Sequence, residues 1–401
     1  MTDYKYLIVG GGIAADAAVR GIRELDPSGS IGMLSAEPDP PYDRPPLSKG
    51  LWKGRPVEKI WRRTADLGVS LHLGRRAVSI ERRNREVMDA QGETYRYERL
   101  LLATGGTPRR IASAGEGVIY FRTLQDYLAL RQIAVPGRRL AVIGGGFIGS
   151  ELAAAITLAG GRALMIFPEA HIGARVFPAE LGAHLDEYYL EKGVELRRGC
   201  SLTAIENVAS RFRVRIRPEA EGGQEEVHEV DGVVAGIGIQ PNVELAKQAG
   251  LDAGDGIVVD SYLRTTDPLI FAAGDVAAFW NPALGRRLRV EHEDNANTMG
   301  MAAGKAMAGQ LEEYNHLPFF YSDLFDLGYE AVGELDPRLT VVMDWKDPWR
   351  EGVIYYLQGE RVRGVLLWNV WKQITAARKL IAAPGPFRSE DLIGKLPEPR
   401  R

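Results

Sequence analysis

Residues 5–9 form a short apolar run that stops at Gly10-Gly-Gly12 and gives way to an alanine-rich segment, 14–23, with helical spacing. Apolar strand, glycine turn and helix, in that order, predict the opening of a nucleotide-binding fold. The same order returns at residues 139–143, at Gly144-Gly-Gly146-Phe-Ile-Gly149 and at residues 150–159. Between the copies lie strand patterns at 69–73, 77–80 and 100–102, the last running into Ala103-Thr-Gly-Gly-Thr-Pro108. A similar ending at 233–241 closes the second copy. After Phe271-Ala-Ala-Gly-Asp275 the pattern turns helical over 295–308, then alternates strands (341–343, 352–357, 364–367) with a helix over 373–381. The expected fold class is α/β, with two Rossmann-like dinucleotide-binding domains, the second inserted in the first, plus a C-terminal α+β domain. The expected bounds are 1–112 and 236–306 for the outer domain, 113–235 for the inserted one, and 307–401 for the C-terminal one.

Composition narrows the field. A chain of 401 residues, 45% of them hydrophobic, has enough apolar material for several buried cores. Its net charge of -3 supplies no global field toward nucleic acid or anionic lipid, so neither is an expected partner. The opening apolar run is too short for a signal peptide or a membrane span, which predicts a cytoplasmic protein. A single cysteine, Cys200, excludes an internal disulfide framework and a cysteine-rich cluster. His292 stands between Glu291 and Glu293 without helical spacing, and the chain has no His-x-x-x-His, so no metal site is expected.

A pyrophosphate needs backbone N–H groups at a helix N-terminus, and glycine where a side chain would block its approach. Gly10, Gly12 and Ala15 meet that pattern, and Gly144, Gly146 and Gly149 meet it again, with Phe147 and Ile148 inside the second motif. An acid about 20 residues further on is expected to hold a ribose hydroxyl. Glu37 fills that role in the first copy, while in the second Glu169 follows only after Phe167-Pro168. NADH is the expected nucleotide there, and Arg175 leaves room for the 2′-phosphate of NADPH.

Pro41-Tyr-Asp-Arg-Pro-Pro-Leu-Ser-Lys49, the Ala103-Thr104-Gly105 turn and Ala273-Gly-Asp275 resemble the FAD-dependent ferredoxin-reductase branch of the pyridine nucleotide oxidoreductases. Phe167-Pro-Glu169, Pro241-Asn-Val-Glu-Leu-Ala-Lys247, Val290-Glu-His292, Gly328-Tyr-Glu-Ala-Val-Gly333 and Gly364-Val-Leu-Leu-Trp-Asn369 look like apoptosis-inducing factors. The resemblance implies FAD in the outer domain and NADH in the inserted one. It implies that Arg44 and Lys49 hold FAD, with Lys49 near flavin N5 and paired with Glu151. It places Asp275, after Gly274, on the ribityl chain, makes Arg122 a flavin contact, and sets Glu291 and His292 near the flavin and nicotinamide rings. Arg76, Ala77, Gly236 and Gly238 complete the implied cofactor set. Tyr321 stands where relatives carry tryptophan, as an aromatic wall or a core residue. The chain lacks the long C-terminal insertion of animal apoptosis-inducing factors between Val342 and Gly352, so a cell-death role is not implied.

A reduced flavin is negative, so a nearby ammonium favours it, and a carboxylate offsets the buried ammonium when the flavin is oxidised. Disulfide reductases of this superfamily carry a cysteine pair shortly after the first acid, yet residues 38–51 hold none. Electrons are therefore expected to leave the flavin directly, with Cys200 structural or incidental. The expected acceptor is a ferredoxin or rubredoxin, or a quinone. The alternatives are a slow NADH oxidase that keeps a long-lived reduced-flavin–NAD⁺ complex, and a homodimer whose assembly responds to NADH. The pairs Arg75-Arg76, Arg82-Arg83 and Arg286-Arg287 are either a docking face or solvated surface.

Overall fold

The computed structural model describes residues 2–220 and 222–396. The chain divides into two compact units: Met1–Arg44 with Pro56–Thr107 and Gln240–Phe319, and Pro45–Arg55 with Pro108–Ile239 and Phe320–Arg401.

In the first unit the opening apolar run is the strand Thr2–Val9, and the alanine-rich segment is the helix Ile13–Leu25. That strand pairs in parallel with Ile31–Ser35 on one side and Thr94–Leu102 on the other. Val69–Leu73 and Ile270–Ala272 extend the parallel sheet outward at its two edges. Ala77–Glu81 and Glu86–Asp89 add an antiparallel meander to the lower part of Thr94–Leu102. Leu7, Ile8, Leu100, Leu101 and Leu102 have no exposed surface, as expected where a parallel strand is covered on both faces. The helix Glu293–Met307 lies against Ile13–Leu25 so closely that a Cβ on Gly304 would stand 2.1 Å from the Ala18 carbonyl oxygen. Small residues are what let two backbones approach to that distance.

In the second unit the parallel sheet runs in the order Glu195–Arg198, Arg162–Phe167, Arg139–Ile143, Gly232–Ala235, Ile119–Tyr120. The helix of the second glycine motif is Phe147–Leu158 and begins three residues earlier than the alanine pattern implied, because Gly146 is already its N-cap. Cys200–Val208, Arg211–Pro218 and Glu226–Val230 form an antiparallel sheet that hydrophobic patterning had not picked out. Only Phe212, Val214 and Ile216 of its middle strand face inward, and arginines alternate with them.

Residues beyond 318 build a five-stranded sheet in the order Phe319–Leu324, Leu327–Gly333, Arg361–Trp368, Glu351–Gln358, Thr340–Asp347. The helix Ile374–Ala382 packs on Leu327–Gly333 and Arg361–Trp368. Trp368 is core, stacked on Tyr329 at 5.9 Å and edge-on to Phe177 at 5.7 Å, whereas Trp371 is 47% exposed. Phe147 and Phe177 of the inserted fold meet Phe320 and Tyr329 of this sheet in one aromatic cluster. The C-terminal sheet and the second nucleotide fold therefore share a core.

Candidate cofactor and redox site

Gly10 leaves the first strand at φ +129°, and a Cβ there would lie 2.1 Å from the Ala103 carbonyl oxygen, so only glycine turns the chain at this point. Ala15 is fully buried against the sheet, where a methyl group is tolerated. Gly12 differs from both. It caps the helix Ile13–Leu25 with no side-chain partner, and a Cβ on it would meet nothing within 4 Å. Packing does not require this glycine; the space beside it is left for something to approach the helix N-terminus, as a pyrophosphate would. Gly274, at φ +79°, brings Asp275 to the same place, since a Cβ there would lie 2.8 Å from the Ala14 methyl group.

The acid expected to hold a ribose is already engaged. Glu37 accepts from the Tyr42 hydroxyl at 2.6 Å and from the Arg44 guanidinium, so Glu37 and Arg44 form one ion pair rather than two separate ligand contacts. Burial works against the Arg44 charge, but Tyr42, Glu37 and Asp275 raise its pKa above the ordinary arginine value. The Ala103-Thr104-Gly105 turn is closed by Asn242, whose Nδ2 donates to the Thr104 carbonyl (2.8 Å) and whose carbonyl accepts from Thr104 Oγ1 (2.9 Å). Arg76 is exposed just before Ala77, which opens the strand Ala77–Glu81, and its carbonyl accepts from Ala90 N. Glu291 pairs with Arg289 at 2.9 Å, and His292 caps the helix Glu293–Met307. Burial pushes the His292 imidazole down to about 4, so it is neutral at neutral pH.

The second glycine turn repeats the first with one difference. Gly144 has φ +115°, and a Cβ on Gly149 would stand 2.0 Å from the Gly144 carbonyl oxygen. Gly149 therefore cannot be the alanine that its counterpart Ala15 is. Gly146 caps the helix Phe147–Leu158 without a side-chain bond, and a Cβ there meets nothing within 4 Å, so it offers the same open approach. Gly236 lies against this turn, 3.0 Å from Gly149 N were it given a Cβ, with Gly238 at φ +86° just beyond and Ile148 exposed beside it. Glu169 is bonded to Arg175 at 2.8 Å. Arg122 donates its backbone N–H to Asp126, one residue before the Thr123 cap of the helix Leu124–Ile133.

Lys49 and Glu151 are 2.7 Å apart, both largely buried, with side chains 12% and 2% exposed. Glu151 Oε1 also accepts from Ser322 Oγ and Oε2 from Ser48 Oγ, each at 2.6 Å, while the Lys49 ammonium lies 5.3 Å from the centre of the Tyr321 ring. Burial, then the Glu151 charge, raise the Tyr189 and Tyr329 hydroxyls well above their ordinary value, so both stay neutral. Lys49, Ser48 and Ser322 thus all direct a donor at the one carboxylate of Glu151.

Pattern reading missed Ser48 and Ser322, and it missed Asp16, which has no exposed surface and is held by Arg20 (2.8 Å), Arg62 (2.7 Å) and Thr64 (2.7 Å). Ser48 adjoins Lys49 in the motif already singled out; an acid among the alanines of a buried helix was the signal for Asp16.

The site thus holds two glycine-turn cradles, each with a helix N-terminus that no side chain caps, and a buried lysine–glutamate pair. Residues 4–300 fit the model of the pyridine nucleotide-disulphide oxidoreductases. The chain belongs to that family. It is 36% identical over 410 residues to the ferredoxin–NAD(+) reductase component of the anthranilate 1,2-dioxygenase system of Burkholderia cepacia, covering 100% of this chain and 97% of that protein. It is 30% identical to mitochondrial apoptosis-inducing factor 1 of Dictyostelium discoideum, over 94% of this chain and 78% of that protein. Residues 342–383 fit the C-terminal model of apoptosis-inducing factor. A solved covalent putidaredoxin reductase–putidaredoxin complex superposes with a TM-score of 0.88 at 30% identity, over 96% of this chain and 94% of that one. This oxidoreductase is FAD-dependent and uses a nicotinamide nucleotide as its reductant. The disulphide of the family's description has no counterpart here, since Cys200 is the chain's one cysteine and burial pushes its thiol up, away from the reactive thiolate.

Proposed function

We propose that this oxidoreductase passes electrons from NADH through FAD to a ferredoxin-type iron–sulfur protein. The observation that carries the reading is the buried Lys49–Glu151 pair in a chain with no cysteine near it in sequence: charge compensation for a flavin is provided, and a dithiol relay is not. FAD, when bound, would take the hydride of NADH and release the two electrons singly. The outer fold supplies the FAD contacts: Gly10 and Gly12 for the pyrophosphate, the Glu37–Arg44 pair and Arg76-Ala77 for the nucleoside end, Ala103-Thr104-Gly105 and Asp275 for the ribityl side. In the fold at 113–235, Gly144, Gly146 and Gly149 take the NADH pyrophosphate, and Glu169 takes the ribose. Because Arg175 is occupied by Glu169, NADH is favoured over NADPH. Lys49 offsets the charge the flavin gains, and neutral His292 adds none of its own. The Burkholderia cepacia relative, named as a ferredoxin–NAD(+) reductase component, supports the acceptor. The segment from 307 onward is a C-terminal domain, and its first strand supplies Ser322 to the Lys49–Glu151 pair.

The test is anaerobic stopped-flow reduction by NADH, followed by mixing with air or with an oxidised 2Fe–2S ferredoxin. Rapid bleaching of the flavin's visible absorbance, with reoxidation fast only in ferredoxin, is the expected result. A persistent long-wavelength band that ignores ferredoxin and decays slowly in air would replace this reading with the apoptosis-inducing-factor type. That second reading is favoured by the match at 342–383. Light scattering with and without NADH tests whether a homodimer forms on reduction.

A further inference from the structure

The proposed function explains Lys49 but leaves the two hydroxyls on its partner without a role. We infer that Ser322, on the first strand of the C-terminal sheet, is a positioning residue of the redox centre: its hydroxyl shares Glu151 Oε1 with the Lys49 ammonium and so sets how much of the lysine's charge the carboxylate cancels. The inference rests on the reading that Lys49 answers the charge of the flavin.

Glu151 is an acceptor only, and its two oxygens receive three donors: Lys49 Nζ at 2.7 Å and Ser322 Oγ at 2.6 Å on Oε1, and Ser48 Oγ at 2.6 Å on Oε2. Ser322 is 1% exposed and Glu151 2%, so no solvent can substitute for a lost donor without a cavity opening. In such surroundings a hydroxyl on a carboxylate oxygen draws negative charge toward itself. Without Ser322, Oε1 answers to Lys49 alone. The pair tightens, and less of the ammonium's field is left for a negative flavin.

No bond is made or broken at Ser322: NADH becomes NAD⁺ as FAD takes its hydride, and the serine only orients the pair that feels the added charge. Tyr321, the preceding residue, presents its ring to the same ammonium, so one strand of the C-terminal sheet supplies two contacts to the pair. Sequence spacing gives no hint of this arrangement, since Ser322 and Glu151 are 171 positions apart.

The experiment is spectroelectrochemical titration of the FAD-loaded protein in wild type, S322A, S322T, K49M and the S322A/K49M double variant, with thermal melts of each. S322A is expected to lower the equilibrium constant for two-electron reduction about tenfold, about 30 mV. S322T should restore it, K49M should shift it further in the same direction, and S322A should add nothing in the K49M background. If S322A does not retain FAD, Ser322→Cys, close in size but a weak donor, must shift the potential in the same direction. An unchanged potential in S322A or its cysteine replacement, alongside a shifted K49M, overturns the inference and leaves the Lys49 reading intact. An unchanged K49M overturns both. A melting change in S322A without any change in potential would make the serine merely structural.

Discussion

Replacing Arg62 with alanine removes a three-way junction in the first unit. The guanidinium donates to Asp16 Oδ2 at 2.7 Å, Asp43 Oδ1 at 2.8 Å and Asn297 Oδ1 at 2.7 Å, and it is 14% exposed against a wholly buried Asp16. Removing one partner of a buried pair costs roughly 3–5 kcal/mol, because the remaining charge stays desolvated. Arg20 and Thr64 still contact Asp16, which puts Arg62→Ala at about 3 kcal/mol and Arg62→Lys, which keeps a charge but not the fork, at about half that. At roughly 2–4 °C per kcal/mol the melting temperature should fall by about 6–12 °C. The effect also has a pH signature. Burial disfavours the Asp16 carboxylate, but its bonds from Arg20, Thr64 and Arg62 lower its pKa below the usual carboxylate value. A depressed acid contributes stability above its unfolded pKa, about 4, and loses that contribution as pH falls through the folded value. The gap between wild type and Arg62→Ala should therefore be full at pH 7 and shrink in acid below about pH 4. Urea denaturation across that range measures it. A neutral-pH gap under about 0.5 kcal/mol, the range of ordinary surface substitutions, would refute the claim that this buried network stabilises the first unit.

The other expectations concern the glycines, the histidine and the cysteine. Gly149→Ala should disturb the fold of the second turn, because the new methyl group meets the Gly144 carbonyl oxygen; Gly146→Ala should melt like wild type yet raise the Kd for NADH at least tenfold, since its methyl group would occupy only the ligand's space. Equal melting temperatures for the two variants would count against this division of roles. Burial holds His292 neutral down to about 4, so the unfolded chain binds the extra proton between there and about 6.5. Stability should rise with pH across that window and fall as pH drops through it, and His292→Asn should flatten the slope in denaturant titrations. Cys200→Ser should keep NADH-driven ferredoxin reduction within about twofold of wild type; a large loss would reopen the thiol as a redox group.

The acid expected to bind ribose illustrates where pattern reading stops. Glu37 is an acid at the right spacing after the first glycine motif, but nothing in its spacing shows that Tyr42 and Arg44 already hold both its oxygens. The lysine–glutamate pair was legible because each residue lies in a recognisable segment, Lys49 beside Pro45-Pro-Leu-Ser48 and Glu151 just past Gly149. The two serines that complete it were not, since serine is ordinary at any position and the partner of Ser322 lies in another sheet's neighbourhood. The antiparallel sheet from Cys200 to Val230 escaped notice because its strands alternate with arginine and bury only one face.

The sequence by itself determined both nucleotide turns, because a backbone at positive φ beside a carbonyl oxygen admits only glycine, and that constraint is local. It also determined, by count alone, that no dithiol can relay electrons. Tertiary structure alone decided that residues 45–55 leave the fold they interrupt and join the second unit, bringing Ser48 and Lys49 to Glu151. It alone decided that the C-terminal sheet completes that pair. Contacts between segments far apart in the chain are selected by shape, burial and satisfied charge, quantities that exist only once the cores have closed.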